Sequence, residues 1–345
     1  MTPFVLRHHD VFRSPSLVTC FPEIVIQNGG SIKKIQIADE RIYLWDLVVG
    51  IVCYDMSGEL LFQLNARGQG PGEYTDINAF AVNASLHQLV IYDNMKQSLM
   101  FYSTEDGRFV KSEKFNKPTP AEIAYWGGYF FYHNRLHRNY QDDISLHYYL
   151  LASKDGITIG KRYFKHENNK EDYPFSPSGH NLYDNNSKLY YCRDFDNIVY
   201  QIHEDSVVPR FRINLPNPLP ASMIEERPNE MSLLRSGYSL GITDIYEYGG
   251  LLFFRFVKDG YIWSCLYNVE ESKQVYCAKR IKFLDSSLID TIDGIYKDCF
   301  YSILTPEYLD YAFSENPLED YPDLFKTYDV EGDNPVIAFY RAVVR

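Results

Sequence analysis

The chain has 345 residues, 45% of them hydrophobic and 16% aromatic, which is enough apolar surface to offset chain entropy and excludes disorder for the bulk of it. Its 46 acidic against 34 basic residues leave a formal charge of −12, which repels a phosphate backbone, so nucleic acid is not an expected partner. The longest nearly continuous apolar run, Leu47 to Tyr54, falls far short of the roughly 20 residues a spanning helix needs, and no transmembrane segment is expected.

Residues 1–20 read as an N-terminal extension. Arg7, His8, His9, Asp10 and Arg13 interrupt any apolar core that a secretory signal requires, so no signal peptide is expected there. Ile24-Val25-Ile26 follows as a strand without a partner nearby in sequence. Four strands come next, Ile32 to Ile37, Ile42 to Trp45, Ile51 to Tyr54 and Leu60 to Leu64. The turn before the last of them holds Gly58, and Gly107, Gly156 and Asp205 repeat its place at intervals of 49. Asp-Gly and Ser-Gly supply the positive φ that tight hairpins demand. A fifth copy around Glu271-Ser272 follows after about 66 residues, so an insertion lies between.

An aromatic strand precedes each hairpin, and six occur: Ile42 to Trp45, Leu89 to Tyr92, Tyr129 to Tyr132, Lys188 to Tyr191, Leu251 to Phe254 and Cys299 to Ser302. Repeats of about 40–50 residues with four short strands predict an all-β, six-bladed β-propeller with four-stranded antiparallel blades. We label the strands A to D from the inside outward and expect one domain over 1–345, as a monomer. Trp45-Asp46 never recurs and is not a WD-repeat mark. The last blade has its B strand near Phe300 and its C strand at Val336 to Tyr340, and Ile24 to Ile26 is expected as its missing outer strand, closing the ring.

The six cysteines are never closer than twelve positions, so no Cys-x-x-Cys pair exists. Cys53, Cys192, Cys265 and Cys299 lie in apolar strands and are expected as buried free thiols.

Gly68-Gln69-Gly70-Pro71-Gly72-Glu73-Tyr74, with Asn334-Pro335-Val336-Ile337 and Ile35 to Tyr43, resembles the six-bladed β-propeller proteins abundant in Bacteroides and relatives, which are akin to NHL-repeat and TolB-like propellers. The resemblance implies an exported or lipid-anchored protein of the cell envelope, in the periplasm or at the cell surface, and offers no catalytic residues to carry over. Physically, three glycines and a proline read as a tight structural loop with Gly70 or Gly72 at positive φ. Lacking a following Lys-Ser/Thr and helix, it is no phosphate cradle. Arg67, Gln69 and Glu73 are its ligand-contact candidates.

In a propeller the A-to-B and C-to-D turns share one face and the other connections share the opposite one. All the long insertions, His133 to Asp143, Lys165 to Gly179, Pro216 to Ser239 and Thr305 to Asn334, fall on the second, which is where binding residues are expected. Ala221 to Arg235 has helical composition, with Met223, Met231 and Leu234 packing it down. His133, Arg135, His137, Arg138 and Tyr140 would suit an anionic or sugar ligand, and His133 and His137 with Asp142 or Asp143 are an alternative metal set. Asn78, Glu122, Asn181, Asp244 and Asp290, at the starts of inner strands, are weak candidates for one divalent cation such as calcium; no other cofactor is expected. With no Gly-x-Ser-x-Gly elbow and no His-Glu-x-x-His helix, the reading is a non-enzymatic envelope propeller that binds a glycan, peptide or partner protein. The alternative is a cation-dependent hydrolase or lactonase at the mouth of the central channel.

Overall fold

A computed structural model describes residues 3–5, 16–25, 32–115, 119–134, 147–166, 176–177, 179–226, 228–279, 292–315 and 334–343. Two strands precede the repeats, β1 (Pro3–Val5) and β2 (Ser16–Val25). Blade one is β3 (Ile32–Ala38), β4 (Arg41–Asp46), β5 (Gly50–Asp55) and β6 (Leu60–Leu64). Blade two is β7 (Ala79–Asn83), β8 (Gln88–Asp93), β9 (Ser98–Ser103) and β10 (Phe109–Lys114), and blade three is β11 (Pro120–Trp126), β12 (Tyr129–Asn134), β13 (Tyr148–Ser153) and β14 (Lys161–Lys165). Blade four is β15 (Leu182–Asn185), β16 (Lys188–Tyr191), β17 (Ile198–Ile202) and β18 (Val207–Asn214), and blade five is β19 (Ser239–Tyr248), β20 (Leu251–Lys258), β21 (Tyr261–Asn268) and β22 (Lys273–Ala278). Blade six is β23 (Gly294–Tyr296), β24 (Cys299–Leu304) and β25 (Val336–Val343), with β2 as its fourth strand. These six sheets are the six-bladed β-propeller that the repeat spacing predicts.

The chain divides into two compact units, one of Gly29–Pro174 with His203–Val207, the other of Met1–Asn28, Phe175–Ile202 and Val208–Arg345. The first holds blades one to three around two apolar clusters, one including Tyr43, Phe62, Phe80 and Tyr102, the other Tyr92, Phe101, Phe115 and Tyr132. The second has a core that includes Phe211, Phe253, Phe254, Phe300 and Tyr340. B strands are buried on both faces, with Tyr43, Val90, Phe253 and Phe300 fully inaccessible, which is why they read as continuous apolar runs rather than alternating ones.

Turn chemistry explains the repeat. Two-residue A-to-B turns need positive φ at both positions, and Asp39 and Glu40 (52° and 56°), Gly127 and Gly128 (56° and 79°), and Gly249 and Gly250 (58° and 76°) supply it. In the C-to-D turns a carboxylate caps the backbone. Asp55 Oδ1 accepts the N–H groups of Ser57 and Glu59 at 2.8 and 3.0 Å, and Asp155 Oδ1 those of Ile157 and Thr158 at 2.8 and 2.7 Å. Gly58, Gly107 and Gly156 then take φ of 86°, 72° and 84°.

The expected closure is present, with Ile24 opposite Ile337 and Val25 opposite Val336. The extension reading of residues 1–20 needs correction, because β2 already starts at Ser16 and Pro3–Val5 pairs in parallel with β18. Register shifts between Thr19 and Phe21 and between Phe21 and Ile24 bracket Pro22, which has no N–H to give to a ladder and is tolerated in sheets at edges and bulges.

The cysteine expectation holds for Cys53 and Cys192, which are buried thiols; burial pushes Cys53 up to about 12. It fails elsewhere. Cys265 and Cys277 face each other across β21 and β22 and form a disulfide with Cα atoms 4.1 Å apart, and Cys299 is also disulfide-bonded. Strand register, which spacing does not reveal, brings the first pair together.

The insertion at 216–239 holds α1 (Ala221–Glu225) and α2 (Glu230–Leu234), in which Leu233 is buried while Met231 is 54% exposed, so Leu233 anchors it. The insertion at 305–334 opens with α3 (Pro306–Glu315), which packs Leu309 and Ala312 into the core.

Deleting residues 1–28 uncovers β25, and thermal denaturation is expected to show a markedly lower Tm or aggregation; a truncated chain melting like the full one contradicts closure. Burial opposes ionisation of Asp155, but bonds from Thr158, Ile157 and Ser153 outweigh it and hold the carboxyl well below its usual range. A carboxyl with a depressed folded pKa adds stability above its unfolded value and loses it as pH falls toward the folded one. The Tm deficit of Asp155→Ala should therefore be larger at pH 7 than at about pH 2; an equal deficit at both contradicts this.

Candidate functional site

In each blade the inner strand starts at the end where B stops and C starts. We call this end the upper edge. The connections β12 to β13, β14 to β15, β18 to β19 and β24 to β25 all leave from it, as the insertion pattern predicts.

In the first unit, the glycine-rich loop between β6 and β7 is closed on itself. Gly68 N–H donates to Tyr74 O at 2.9 Å, Tyr74 N–H to Ala66 O at 2.8 Å, and Gly70 N–H to Glu73 Oε2 at 2.8 Å. Tyr74 is fully buried and donates to Leu64 O, while Tyr102 OH donates to Gly72 O at 3.1 Å. Only Gly72 of the two predicted glycines has positive φ, 79°, and a Cβ there would lie 2.9 Å from the Phe109 ring. Gly68 and Gly70 instead make room for the Glu73 carboxylate. Of the three loop candidates, Glu73 is thus engaged by its own loop, Arg67 donates to Leu47 O, and Gln69 is exposed.

The inner strands of blades one to three are tied by two side chains. Lys34 Nζ donates to Phe80 O and Ile123 O at 3.0 and 3.1 Å, and Asn78 Nδ2 donates to Pro120 O at 2.7 Å. Beside them, Glu122 and His133, 7% and 2% exposed, are register partners across β11 and β12. Two residues singled out separately in the sequence are thereby brought together. His133 and Asn134 end β12, so the connection leaves directly from this buried pair. Its residues Arg135, His137, Arg138 and Tyr140 lie outside the described residues, as does Asp290.

In the second unit, Asn181 Nδ2 donates to Cys192 O at 2.9 Å and to Asp194 Oδ1 at 3.1 Å, and Ser176 Oγ donates to the same carboxylate oxygen at 2.7 Å. Asp244 lies within β19 rather than at its start, because that strand begins at Ser239. Arg255 Nε donates to Asp244 Oδ2 at 2.9 Å, and its Nη2 lies 3.8 Å from Asp293 Oδ1. All three side chains keep about a fifth of their surface exposed (19%, 18% and 21%), so solvent still reaches them. Burial alone would raise the Asp244 pKa; the Arg255 guanidinium outweighs it and holds the carboxyl below its usual range. Asp293 stands immediately before β23, at the start of the inner strand of blade six.

The backbone here is unusual. Phe195 and Asp244 have φ of 61° and 53°, each costing on the order of 1–3 kcal/mol, a cost that surrounding contacts must hold in place. Gly241, at φ 100°, lets β19 approach the Phe195 backbone, where a Cβ would come within 2.7 Å. The result is a largely buried guanidinium bridged by two carboxylates from neighbouring inner strands, the three groups together carrying a net negative charge. Among the described residues, no three His, Cys, Asp or Glu side chains are grouped to hold a metal ion. Arg255 and Asp293 escaped the sequence reading. One sits inside an aromatic run that reads as core, the other just past an insertion boundary that spacing cannot locate.

The profile of a domain of unknown function, DUF4934, matches residues 28–341. The chain belongs to the DUF4934 family. Its fold is shared with a candidate exported protein of Bacteroides fragilis, at 16% identity and a TM-score of 0.79 with 99% of each chain covered. It is also shared with a member of the DUF4221 family from Bacteroides vulgatus, at 10% identity and a TM-score of 0.58, covering 96% of this chain and 99% of that one. At these identities the likeness concerns the fold alone. Comparison with curated proteins finds no match. Within this DUF4934 chain the glycine loop is a structural clasp. Gly72→Ala is expected to cost roughly 1–2 kcal/mol in urea unfolding from its φ alone, and more than Gly70→Ala, whose Cβ meets only the flexible end of Glu73 at 3.1 Å. A Gly72→Ala variant as stable as wild type removes the basis of this role.

Proposed function

We propose that this DUF4934 chain is a non-enzymatic binding or scaffold propeller of the cell envelope that recognises a glycan, peptide or partner protein through its upper edge. The observation that carries this reading is the asymmetry of the blade ends. At the lower edge the turns are short, as at those closed by Asp55 and Asp155. At the upper edge stand the long connections and, in the second unit, the partly exposed Asp244, Arg255 and Asp293 on strained backbone. Strain of this kind concentrates at functional sites. The guanidinium occupies the space between the two carboxylates where a cation would sit, which favours recognition over metal-assisted hydrolysis.

Two features support an extracytoplasmic location: the Bacteroides fragilis neighbour is a candidate exported protein, and the Cys265–Cys277 disulfide suits an oxidising compartment. Kinship with NHL-repeat and TolB-like propellers rests on the sequence resemblance.

The test is a glycan and peptide array probed with the full chain, followed by variants. Arg135→Ala with Arg138→Ala is expected to weaken the ligand found by more than tenfold, since an Arg fork grips carboxylates and hydroxyls bidentately. Glu59→Ala and Arg108→Ala, at the lower edge, are expected to change nothing. Loss confined to the lower-edge variants, or turnover of the ligand on adding calcium, contradicts the proposal.

A further inference from the structure

Blade five carries a second feature at its upper edge. Strands β20 and β21 pair without interruption over eight residues, from Leu251 opposite Asn268 to Lys258 opposite Tyr261, and turn at Asp259 and Gly260, both at positive φ. Side chains alternate along a strand, so Tyr261 and Trp263 share a face with their partners Lys258 and Phe256. Phe256 and Trp263 stack there, with ring centroids 6.2 Å apart and planes 12° from parallel. Tyr261 extends this aromatic row to the tip and is 53% exposed, as is its neighbour Ile262.

Charge at this tip is arranged against the trend of the molecule. In a chain of formal charge −12, exposed ammonium groups have carboxylates in excess to pair with, and Lys258 does pair with Asp259, at 3.3 Å. Lys279, just beyond β22, does not. Its Nζ lies 3.2 Å from the centroid of the Tyr261 ring, and among the described residues no carboxylate meets it and nothing bonds the Tyr261 hydroxyl. An exposed ring, a hydroxyl without a hydrogen bond and a cation that no carboxylate meets among the described residues are therefore held together beside one hairpin.

We propose that this face of the blade-five hairpin is a binding platform for an anionic saccharide. The sugar ring displaces the Lys279 ammonium from the Tyr261 face and packs its C–H face there, a hydroxyl of the sugar bonds the phenol, and the displaced Lys279 meets a carboxylate or sulfate substituent. A flat platform with a single cation fits a ring carrying one charge. An extended acidic peptide would need main-chain pairing, and the two hairpin strands that carry the platform, β20 and β21, are already paired on both sides, by β19, by each other and by β22. The proposal rests on the upper edge being the recognition face.

The test uses isothermal titration calorimetry on the full chain with oligogalacturonate, a sulfated heparin-type oligosaccharide, neutral dextran and poly-glutamate. Binding is expected for one or both anionic saccharides, the two arms separating carboxylate from sulfate, and not for dextran. Tyr261→Ala should weaken it by more than tenfold. Lys279→Gln should weaken it and reduce its salt dependence, while Tyr261→Phe should keep most of the affinity. Both positions are exposed, so an unchanged Tm verifies folding. The platform is overturned if neither anionic saccharide binds, if poly-glutamate binds as well with the same response to the variants, or if saccharide binding is unaffected by Tyr261→Ala and Lys279→Gln. Saccharide binding that survives those variants and is lost in Arg135→Ala with Arg138→Ala removes the platform and leaves the upper-edge reading intact.

Discussion

Where Ile24 lies opposite Ile337 and Val25 opposite Val336, a segment from the start of the chain and one from its last repeat complete a single sheet. A propeller blade is stable only when its faces are covered by other blades and its outer edge is protected, and blade six supplies only three strands in sequence order. The β2–β25 ladder therefore conditions the rest: it provides the fourth strand beside β25, whose Val336 and Tyr340 share the core of that unit with Phe300 and Phe253.

Within the blades, small carboxylates decide where strands end. Asp46 Oδ1 accepts the N–H groups of Val48 and Val49 at 2.7 and 3.0 Å, and Asp93 accepts those of Lys96 and Thr75 at 2.9 and 2.5 Å. Both side chains are fully buried, a position that a carboxylate tolerates only with such donors. They close the B-to-C turns as Asp55 and Asp155 close the C-to-D turns. The exceptions are informative. Asp244 takes its hydrogen bonds from Thr243 and Arg255 side chains rather than from a turn, and it is there that the backbone adopts a left-handed conformation.

The blade plan was legible because its signals are local. Leu60–Leu64 lies where sequence places it, and Ile42 to Trp45 falls within β4, since burial on both faces imposes continuous apolar runs and positive φ imposes Gly or Asp. The candidate site was legible only in part, because its contacts are set by register between strands. Glu122 and His133 are eleven positions apart yet directly opposed, and Cys265 and Cys277 twelve apart yet bonded. Arg255 looks like a polar interruption of a core strand until Asp244 and Asp293 flank it. Tyr261 looks like one more strand aromatic until the eight-residue ladder carries it to the tip of the hairpin.

Recognition through the upper edge is the proposal from which the function follows. Hydrogen–deuterium exchange of the full chain, with and without a ligand captured on the arrays, tests it most directly. Slowed exchange is expected at upper-edge segments, among them the 258–262 turn and the residues around 192–197 and 240–245, with the C-to-D turns at 56–59 and 104–108 unchanged. Protection concentrated at those C-to-D turns, with the upper-edge segments unaffected, would contradict it.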